Sequence, residues 1–352
     1  MSRMKKAAAC LLAAALMIGS LAGCSSSLRG VKKEDYPALT AATYGDQEIC
    51  LGEVNFYLRN LQYVYEMIYG TYYGDEMWDL AGSGSKTMGQ SVKENVLSEI
   101  YQIYVLNGKA EELNVTLSEE DLAKVETAVD EYLEGTPQTI LDETNLSREE
   151  LIGIYQRNAV ANRVWEAAVK DVDTEVSDEE ACQRKVTVMV LSDSSEEYVS
   201  EEMKDEVLAS LKDGLTMSEI ADEKGLTASP YTMDEGDYAD TIGPAAMALE
   251  EGGYDAVYNE TNKAWYVLYC DSEFDEEATE SRKAEIVEER KSAAFEETYK
   301  QWKTEAAEFK VDEDVIALLD FKTAMYVAET TAAGSSEEET TEAEETTAGS
   351  EK

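Results

Sequence analysis

The chain of 352 residues contains no histidine. The sequence therefore excludes Ser-His-Asp and Cys-His nucleophiles and every zinc motif that includes histidine. Basic residues are also scarce, because 30 lysines and arginines stand against 75 acidic residues and give a formal net charge of −45. Nucleic acid is excluded as a partner, since its binding depends on Lys and Arg side chains that neutralise phosphates. The negative charge instead favours cationic proteins or divalent ions.

The sequence also lacks an apolar run that is long enough to cross about 30 Å of hydrocarbon as a helix. The apolar residues 7–18 follow Arg3, Lys5 and Lys6 and have the length of a signal-peptide h-region. Residues 21–24, Leu-Ala-Gly-Cys, resemble the lipobox at which bacterial lipoproteins are cut and acylated. We therefore expect cleavage before Cys24 and a lipid anchor on that cysteine, which holds the protein on the extracytoplasmic face of the cell membrane. The alternative is a soluble protein with an apolar start.

Five cysteines are present, and the signal peptide and the lipid account for Cys10 and Cys24. The remaining three, Cys50, Cys182 and Cys270, are too few and too scattered for a disulfide framework or a Cys-x-x-Cys metal site. We therefore predict no metal and no cofactor. The three thiols are expected to behave as small buried apolar side chains.

The two ends of the mature chain differ in composition from its centre. Residues 24–40 mix serine, charge and proline, as a tether between the lipid and a folded domain does. From about Glu329 the chain contains only Ser, Thr, Ala, Gly and Glu apart from the last lysine, so it has little to bury, and residues 326–352 are predicted to be a disordered acidic tail. Three folded regions are predicted between these ends, at residues 41–175, 176–275 and 276–325.

The region 41–175 is predicted to be helical. Apolar residues recur there at steps of three and four, and Ser118 with Asp121 and Ser147 with Glu150 have the spacing of helix-starting capping boxes. One apolar stripe consists of Val54, Tyr57, Leu58, Leu61, Tyr65 and Ile68. Between the first two helices lies an aromatic, glycine-rich segment at residues 69–85. Its side chains, including Tyr72, Tyr73 and Trp78, either contact an extended client peptide or pack on the helices.

The pattern changes at residue 176. Residues 186–191 read as a buried strand, residues 197–212 as a helix that stops at Gly214, and Thr216 with Glu219 as the start of a second helix. A turn-rich stretch at 227–243, a short helix at 245–249 and strands at 256–258 and 264–270 complete a small α+β domain. Residues 276–310 are predicted to be one long charged helix, followed by a shorter apolar piece. The predicted fold class is α+β, with this small domain inserted into a helical unit that the C-terminal helices complete.

Several segments in this order resemble the extracytoplasmic foldases of the PrsA and SurA type, which carry a parvulin domain between helical segments. Residues 176–180, Val-Ser-Asp-Glu-Glu, are similar to the short acidic helix that leads into that domain. Residues 211–221 resemble its Gly-x-x-Phe-x-x-Leu-Ala turn, residues 245–252 its Ala-x-Phe-x-Leu-x-x-Gly segment, and residues 264–268 its closing strand. The resemblance extends over nearly the whole mature chain.

The positions that carry parvulin chemistry have changed. The two pocket histidines correspond to about Thr187 and Tyr266, and the acidic or thiol residue beside them corresponds to Leu226 or Thr227. Rotation about a prolyl bond meets a barrier of about 18–20 kcal/mol but needs no covalent step. The resemblance therefore leaves two readings open: a hydroxyl network of Thr187 and Tyr266 that retains activity, or a structural remnant.

Further contacts follow from the resemblance. The floor of the proline pocket corresponds to Ile242, Gly243 or Pro244, and Met247 lies on the following segment, so we take Ile242 and Met247 as client contacts. If the first and last strands pair with Thr187 opposite Tyr266, Cys182 lies near Cys270, and this layout then allows a disulfide between them as an alternative to free thiols.

The resemblance implies a membrane-anchored chaperone that assists the folding of secreted proteins, with unfolded proteins as clients and a parvulin-like domain that is weak or inactive. An active peptidyl-prolyl isomerase is the first alternative. A substrate-binding lipoprotein of a transporter is the second, and it predicts two lobes of alternating strands and helices. Whether the protein acts as a homodimer is left open.

Overall fold

The computed structural model describes residues 30–82, 84–192, 200–234 and 236–327, together with residues 19, 20 and 28. The predicted lipidation site, Cys24, and residues 328–352 of the predicted tail lie outside the described residues. The described chain divides into two compact units. The first is taken from Met1–Trp165 and Glu305–Lys352, and the second is Glu166–Thr304.

The first unit begins with short strands that the sequence analysis did not predict. β2 and β3 form an antiparallel hairpin, because Thr43 lies opposite Glu48 and Tyr44 opposite Gln47. A 3-10 turn at Lys33–Ala38 precedes the hairpin. The strands are β1 (Gly19–Ser20), β2 (Thr40–Tyr44) and β3 (Gln47–Cys50).

Five helices follow, as the apolar periodicity of this region predicts. Ser118 accepts the backbone N–H of Asp121 and so caps its helix. Ser147 likewise accepts the N–H of Glu150, which confirms both predicted capping boxes. A second 3-10 turn, Gly74–Asp79, joins the first two helices. The helices are α1 (Leu51–Tyr73), α2 (Met88–Lys109), α3 (Glu119–Gly135), α4 (Gln138–Thr144) and α5 (Arg148–Ala168).

The second unit is built on a four-stranded antiparallel sheet with the order β5-β4-β7-β6. Thr216 caps α7 through the predicted box with Glu219, and Gly214 follows α6 with a φ of 92°. β5 forms where only turns were predicted. The elements are β4 (Arg184–Ser192), α6 (Ser200–Lys212), α7 (Met217–Lys224), β5 (Ala228–Met233), α8 (Gly243–Ala248), β6 (Tyr254–Asn259), β7 (Ala264–Ser272) and α9 (Glu276–Glu305).

The two faces of this sheet bury different clusters, because successive side chains of a strand point to opposite sides. Met189 and Leu191 pack with α6 and α7 on one face, which we call the α6/α7 face. Val188 and Leu268 pack with α8 on the other, the α8 face.

The long C-terminal helix is shorter than predicted. α9 ends at Glu305, whereas the helix was predicted to continue to residue 310. Residues 309 and 310 belong instead to the strand β8 (Phe309–Val311). β8 pairs antiparallel with β2, with Phe309 and Val311 buried on either side of Lys310. This pairing with a distant strand overrides the helical preference of the segment. The chain then forms the short helix α10 (Glu313–Ile316).

The fold class is α+β, as predicted: in the order of the sequence, the strands and shorter helices of the second unit follow the helices of the first unit and precede the long helix α9. Neither described sheet shows the alternation of strands and helices that the transporter alternative requires. Within the described ranges, no helix combines the length and apolar character needed to traverse a bilayer.

Candidate functional site

The C-terminal half of α1 exposes a group of large apolar side chains. Their exposed fractions run from 40% at Val64 to 82% at Tyr72. Exposed apolar side chains that cluster in this way usually mark an interaction surface. We call this group the α1 apolar surface, and it consists of Val64, Met67, Ile68, Tyr69, Tyr72 and Tyr73.

This surface exists because the last turns of α1 bury polar side chains and expose apolar ones. Near its start, Val54 and Leu58 face the core, as the predicted stripe requires. Near its end, Gln62 and Glu66 are buried, whereas Ile68, predicted to lie on the buried stripe, is 49% exposed. A helix normally turns its apolar side inward. The last turns of α1 do the opposite, which leaves apolar area available for contact.

The three aromatic residues predicted as client contacts fall in two different places. Tyr72 and Tyr73 belong to the α1 apolar surface. Trp78 does not, because it is only 5% exposed and its ring stacks on Phe321 with a centroid distance of 4.2 Å. The chain itself covers this indole.

In the second unit, the α8 face brings together three of the predicted site residues. Ile242 is buried in the cluster with Val188 and Leu268, and Met247 and Tyr266 pack against it. Gly243 allows the loop before α8 to pack closely, since a Cβ there would clash with the carbonyl oxygen of Asp237. The predicted pocket floor is therefore an apolar cluster with no aromatic ring at position 242.

The predicted pairing of Thr187 with Tyr266 is wrong. Thr187 lies opposite Tyr269, three residues further along β7, and Tyr266 lies opposite Val190. Directly opposed residues share a face, and residues three apart on a strand do not. Thr187 therefore faces the α6/α7 side, whereas Tyr266 faces the α8 side, and the two hydroxyls cannot form one network.

Each hydroxyl has its own local partner instead. Thr187 Oγ1 donates to Asp271 Oδ2 at 2.7 Å. The hydroxyl of Tyr266 accepts from Asn262 Nδ2 at 2.8 Å. Within the described residues, no group of three His, Cys, Asp or Glu side chains is arranged to hold a metal ion.

The same shift in register separates the two cysteines for which the family layout allowed a disulfide. With Thr187 opposite Tyr269, the strand direction carries Cys182 toward Glu273 rather than toward Cys270. Cys182 Sγ lies 3.6 Å from the carbonyl oxygen of Glu273, and Cys270 is a buried thiol opposite Val186. Both thiols are free in this structure.

Sequence reasoning missed the exposed residues of the α8 face. Val190, Tyr231 and Tyr238 are 48%, 38% and 50% exposed. The rings of Tyr231 and Tyr238 meet edge to face at 6.0 Å. Tyr231 lies opposite Val186, so it is on the α8 face. The strand that carries Tyr231 gave little signal in the sequence, because Pro230 and polar residues interrupt the apolar residues of β5.

Searches with the sequence found no matching family model and no matching curated protein. Comparison of the structure with solved structures finds similar chains at low identity. One is from a study of two structurally related SurA-like chaperones of Campylobacter jejuni, at 10% identity and a TM-score of 0.30, covering 78% of this chain and 99% of that one.

Two others are described as the peptidylprolyl isomerase PrsA. The Bacillus cereus protein is 17% identical with a TM-score of 0.31, covering 69% of this chain and 92% of that one. The Bacillus anthracis protein is 17% identical with a TM-score of 0.29, covering 55% and 89%. These are proteins of the kind that the sequence resembles.

Proposed function

We propose that the protein is a membrane-tethered extracytoplasmic chaperone that assists the folding of secreted proteins. The observation that carries the proposal is the α1 apolar surface, where six neighbouring apolar side chains lie open on one helix. Unfolded chains expose apolar side chains, and each one that is fully buried contributes about 1.5–3 kcal/mol. A surface of this kind holds such segments by contact and keeps them from meeting one another.

The proposed location rests on the sequence. The signal-like residues 1–23 and Cys24 place a lipid at the start of the mature chain. Acyl chains stabilise membrane binding by about 0.8 kcal/mol per buried CH₂, and more than one chain gives a firm anchor. An anchor at this position would hold the α1 apolar surface where newly exported chains leave the membrane.

We further propose that the sheet of the second unit has weak or no isomerase activity. Thr187 and Tyr266 lie on opposite faces, so the hydroxyl network that would replace the family's histidines is not formed. The exposed aromatic residues of the α8 face support a role in client contact instead.

The isomerase alternative is tested with a proline-containing peptide. We expect the wild-type protein to give the uncatalysed rate, and Tyr266→Phe to give the same rate, because Thr187 and Tyr266 lie on opposite faces of the sheet. An active parvulin in the same assay provides the positive control. A wild-type rate above background that falls in Tyr266→Phe would favour the enzyme.

The chaperone proposal is tested by substituting the α1 apolar surface. In the soluble form that begins at Ser25, the triple variant Met67→Ser, Ile68→Ser and Tyr72→Ser should bind unfolded clients at least about tenfold more weakly, because three apolar contacts are lost. Light scattering of an aggregating secreted protein measures the effect.

The matched control is Leu122→Ser, which removes an apolar side chain that is 37% exposed on α3, away from this surface. This control should suppress aggregation as well as the wild type does. The proposal fails if the wild type does not suppress aggregation, or if the triple variant remains as effective as the control.

A further inference from the structure

Four buried polar side chains form a stripe along α1. Asn55, Arg59, Gln62 and Glu66 are between 0% and 7% exposed. Their spacing of four, three and four residues places them on one side of the helix. Buried polar groups need hydrogen-bond partners. We call these residues the α1 polar stripe.

The stripe binds the main chain of residues 320–326. Arg59 Nη1 donates to the carbonyl oxygen of Asp320 at 2.6 Å. Gln62 Nε2 donates to the carbonyl oxygen of Thr323 at 2.9 Å. Both hydrogen bonds are to main-chain atoms of the segment, so they do not depend on the identity of its side chains.

Glu66 binds backbone N–H groups of the same segment. Its Oε2 atom accepts the backbone N–H groups of Met325 at 2.6 Å and of Tyr326 at 2.9 Å. Its Oε1 atom accepts from Gln62 at 2.6 Å and from Trp78 Nε1 at 3.3 Å. Two of the four donors to this buried carboxylate therefore belong to the bound segment.

Next to the stripe is a slot that fits an aromatic ring. Phe321 stacks on Trp78 at 4.2 Å with an angle of 11° between the rings. On α2, a Cβ at Gly89 would come within 2.8 Å of Phe321 Cε2, so the ring fits because this residue has no side chain. Lys93 lies above the same ring, with Nζ 5.9 Å from its centroid.

The bound segment has the character of a ligand. Residues 320–327 form no helix or strand. Two side chains anchor the segment, since Phe321 fills the slot and Met325 is 3% exposed. If the segment leaves, Arg59, Gln62 and Glu66 each lose a main-chain hydrogen-bond partner of the kind that any extended chain supplies. The emptied site would therefore accept another extended chain.

We propose that the α1 polar stripe and the Trp78–Gly89 slot form a binding site for extended peptides, and that residues 320–326 occupy it as a self-ligand. A client segment with phenylalanine at one position and an apolar residue four positions later competes for the site. That the competitor is a client protein rests on the proposed function, whereas the site itself rests on the contacts above.

The test uses the full chain and a fluorescein-labelled synthetic peptide with the sequence of residues 318–327. In the variant Phe321→Ala, Met325→Ala the self-ligand loses both anchors while the site stays intact. A tethered ligand acts at an effective concentration of about millimolar. Weakening it should therefore make the peptide bind at least tenfold more tightly than to the wild type, as measured by fluorescence anisotropy.

Two controls make the result specific. Phe274→Ala removes a phenylalanine that is 44% exposed in the second unit, and it should bind the peptide as the wild type does. A peptide with alanine in place of its phenylalanine should bind at least tenfold more weakly to the variant. Equal affinity of wild type and variant, or equal affinity of the two peptides, overturns the proposal.

A second measurement needs no substitution. Saturating unlabelled peptide should speed amide hydrogen exchange of residues 320–327 in the wild type at least tenfold, because the peptide displaces the N–H groups that Glu66 holds. Unchanged exchange at millimolar peptide overturns the proposal. If this displacement fails while the protein still suppresses aggregation, only the self-ligand is wrong. If displacement succeeds without suppression, only the proposed function is wrong.

Discussion

Replacing Arg157 with methionine should lower the free energy of unfolding of the first unit by about 3–5 kcal/mol at pH 7.5. Arg157 Nη2 lies 2.6 Å from Glu53 Oε2, and Nε lies 3.2 Å from Oε1. The Glu53 side chain is only 4% exposed. Its remaining side-chain donor is the hydroxyl of Tyr104, at 3.2 Å. The substitution therefore leaves a buried carboxylate without its counter-charge.

The loss of stability in Arg157→Met should depend on pH, because the Glu53 carboxyl changes its protonation with pH. Burial already raises the pKa of Glu53, against the opposing effect of Arg157. Without Arg157 the pKa rises further. A carboxyl whose folded pKa lies above its unfolded value binds more protons in the folded state, so stability falls as pH rises. The loss in Arg157→Met should therefore be smaller at pH 5 than at pH 7.5.

Urea unfolding followed by circular dichroism at the two pH values measures both effects. Adding Glu53→Gln to Arg157→Met should recover most of the lost stability and remove the added pH dependence, since no buried charge remains. Arg163→Met, which breaks the solvated ion pair with Asp121, should have a far smaller effect. Equal losses at both pH values would show that the carboxylate is not the cause.

Replacing Leu268 with alanine should lower the free energy of unfolding of the second unit by about 2–5 kcal/mol. Leu268 is fully buried in β7, opposite Val188. It packs in the α8-face cluster with Ile242 and Ala246. The truncation leaves a cavity under α8, and the surrounding strands can close it only in part.

Amide hydrogen exchange locates this effect. Peptides from β4 and β7 should lose protection in Leu268→Ala, and peptides from α2 serve as the internal reference. The matched control is Val190→Ala, because Val190 is on the same face but 48% exposed and should lose little stability. A loss below about 1 kcal/mol in Leu268→Ala would contradict the assignment of this cluster as the core of that face.

The parts of the fold that the sequence predicted depend on nearby residues. The capping boxes at Ser118 and Thr216 span three residues each, and the apolar period of α1 and α2 repeats within two turns. β4 and β7 were recognisable from their β-branched and aromatic residues. The α+β class followed from the order of these elements.

The parts that it did not predict depend on distant residues. β8 is a strand because β2 pairs with it, although the paired residues, such as Tyr44 and Phe309, lie far apart in the sequence. The register of β4 against β7 differs by three residues from the expected one, and this difference alone separates Thr187 from Tyr266 and Cys182 from Cys270. A register depends on which side chains pack across the sheet, which no local pattern records.

The absence of histidine, the excess of acid and the signal-like start were determined by the sequence alone, because each depends only on which residues are present and in what order. The candidate surfaces were decided by tertiary structure. α1 turns Glu66 inward and Ile68 outward because residues 320–326, far along the chain, supply the main-chain partners that the buried polar side chains need. Helical periodicity describes one helix, and it cannot show which distant segment that helix binds.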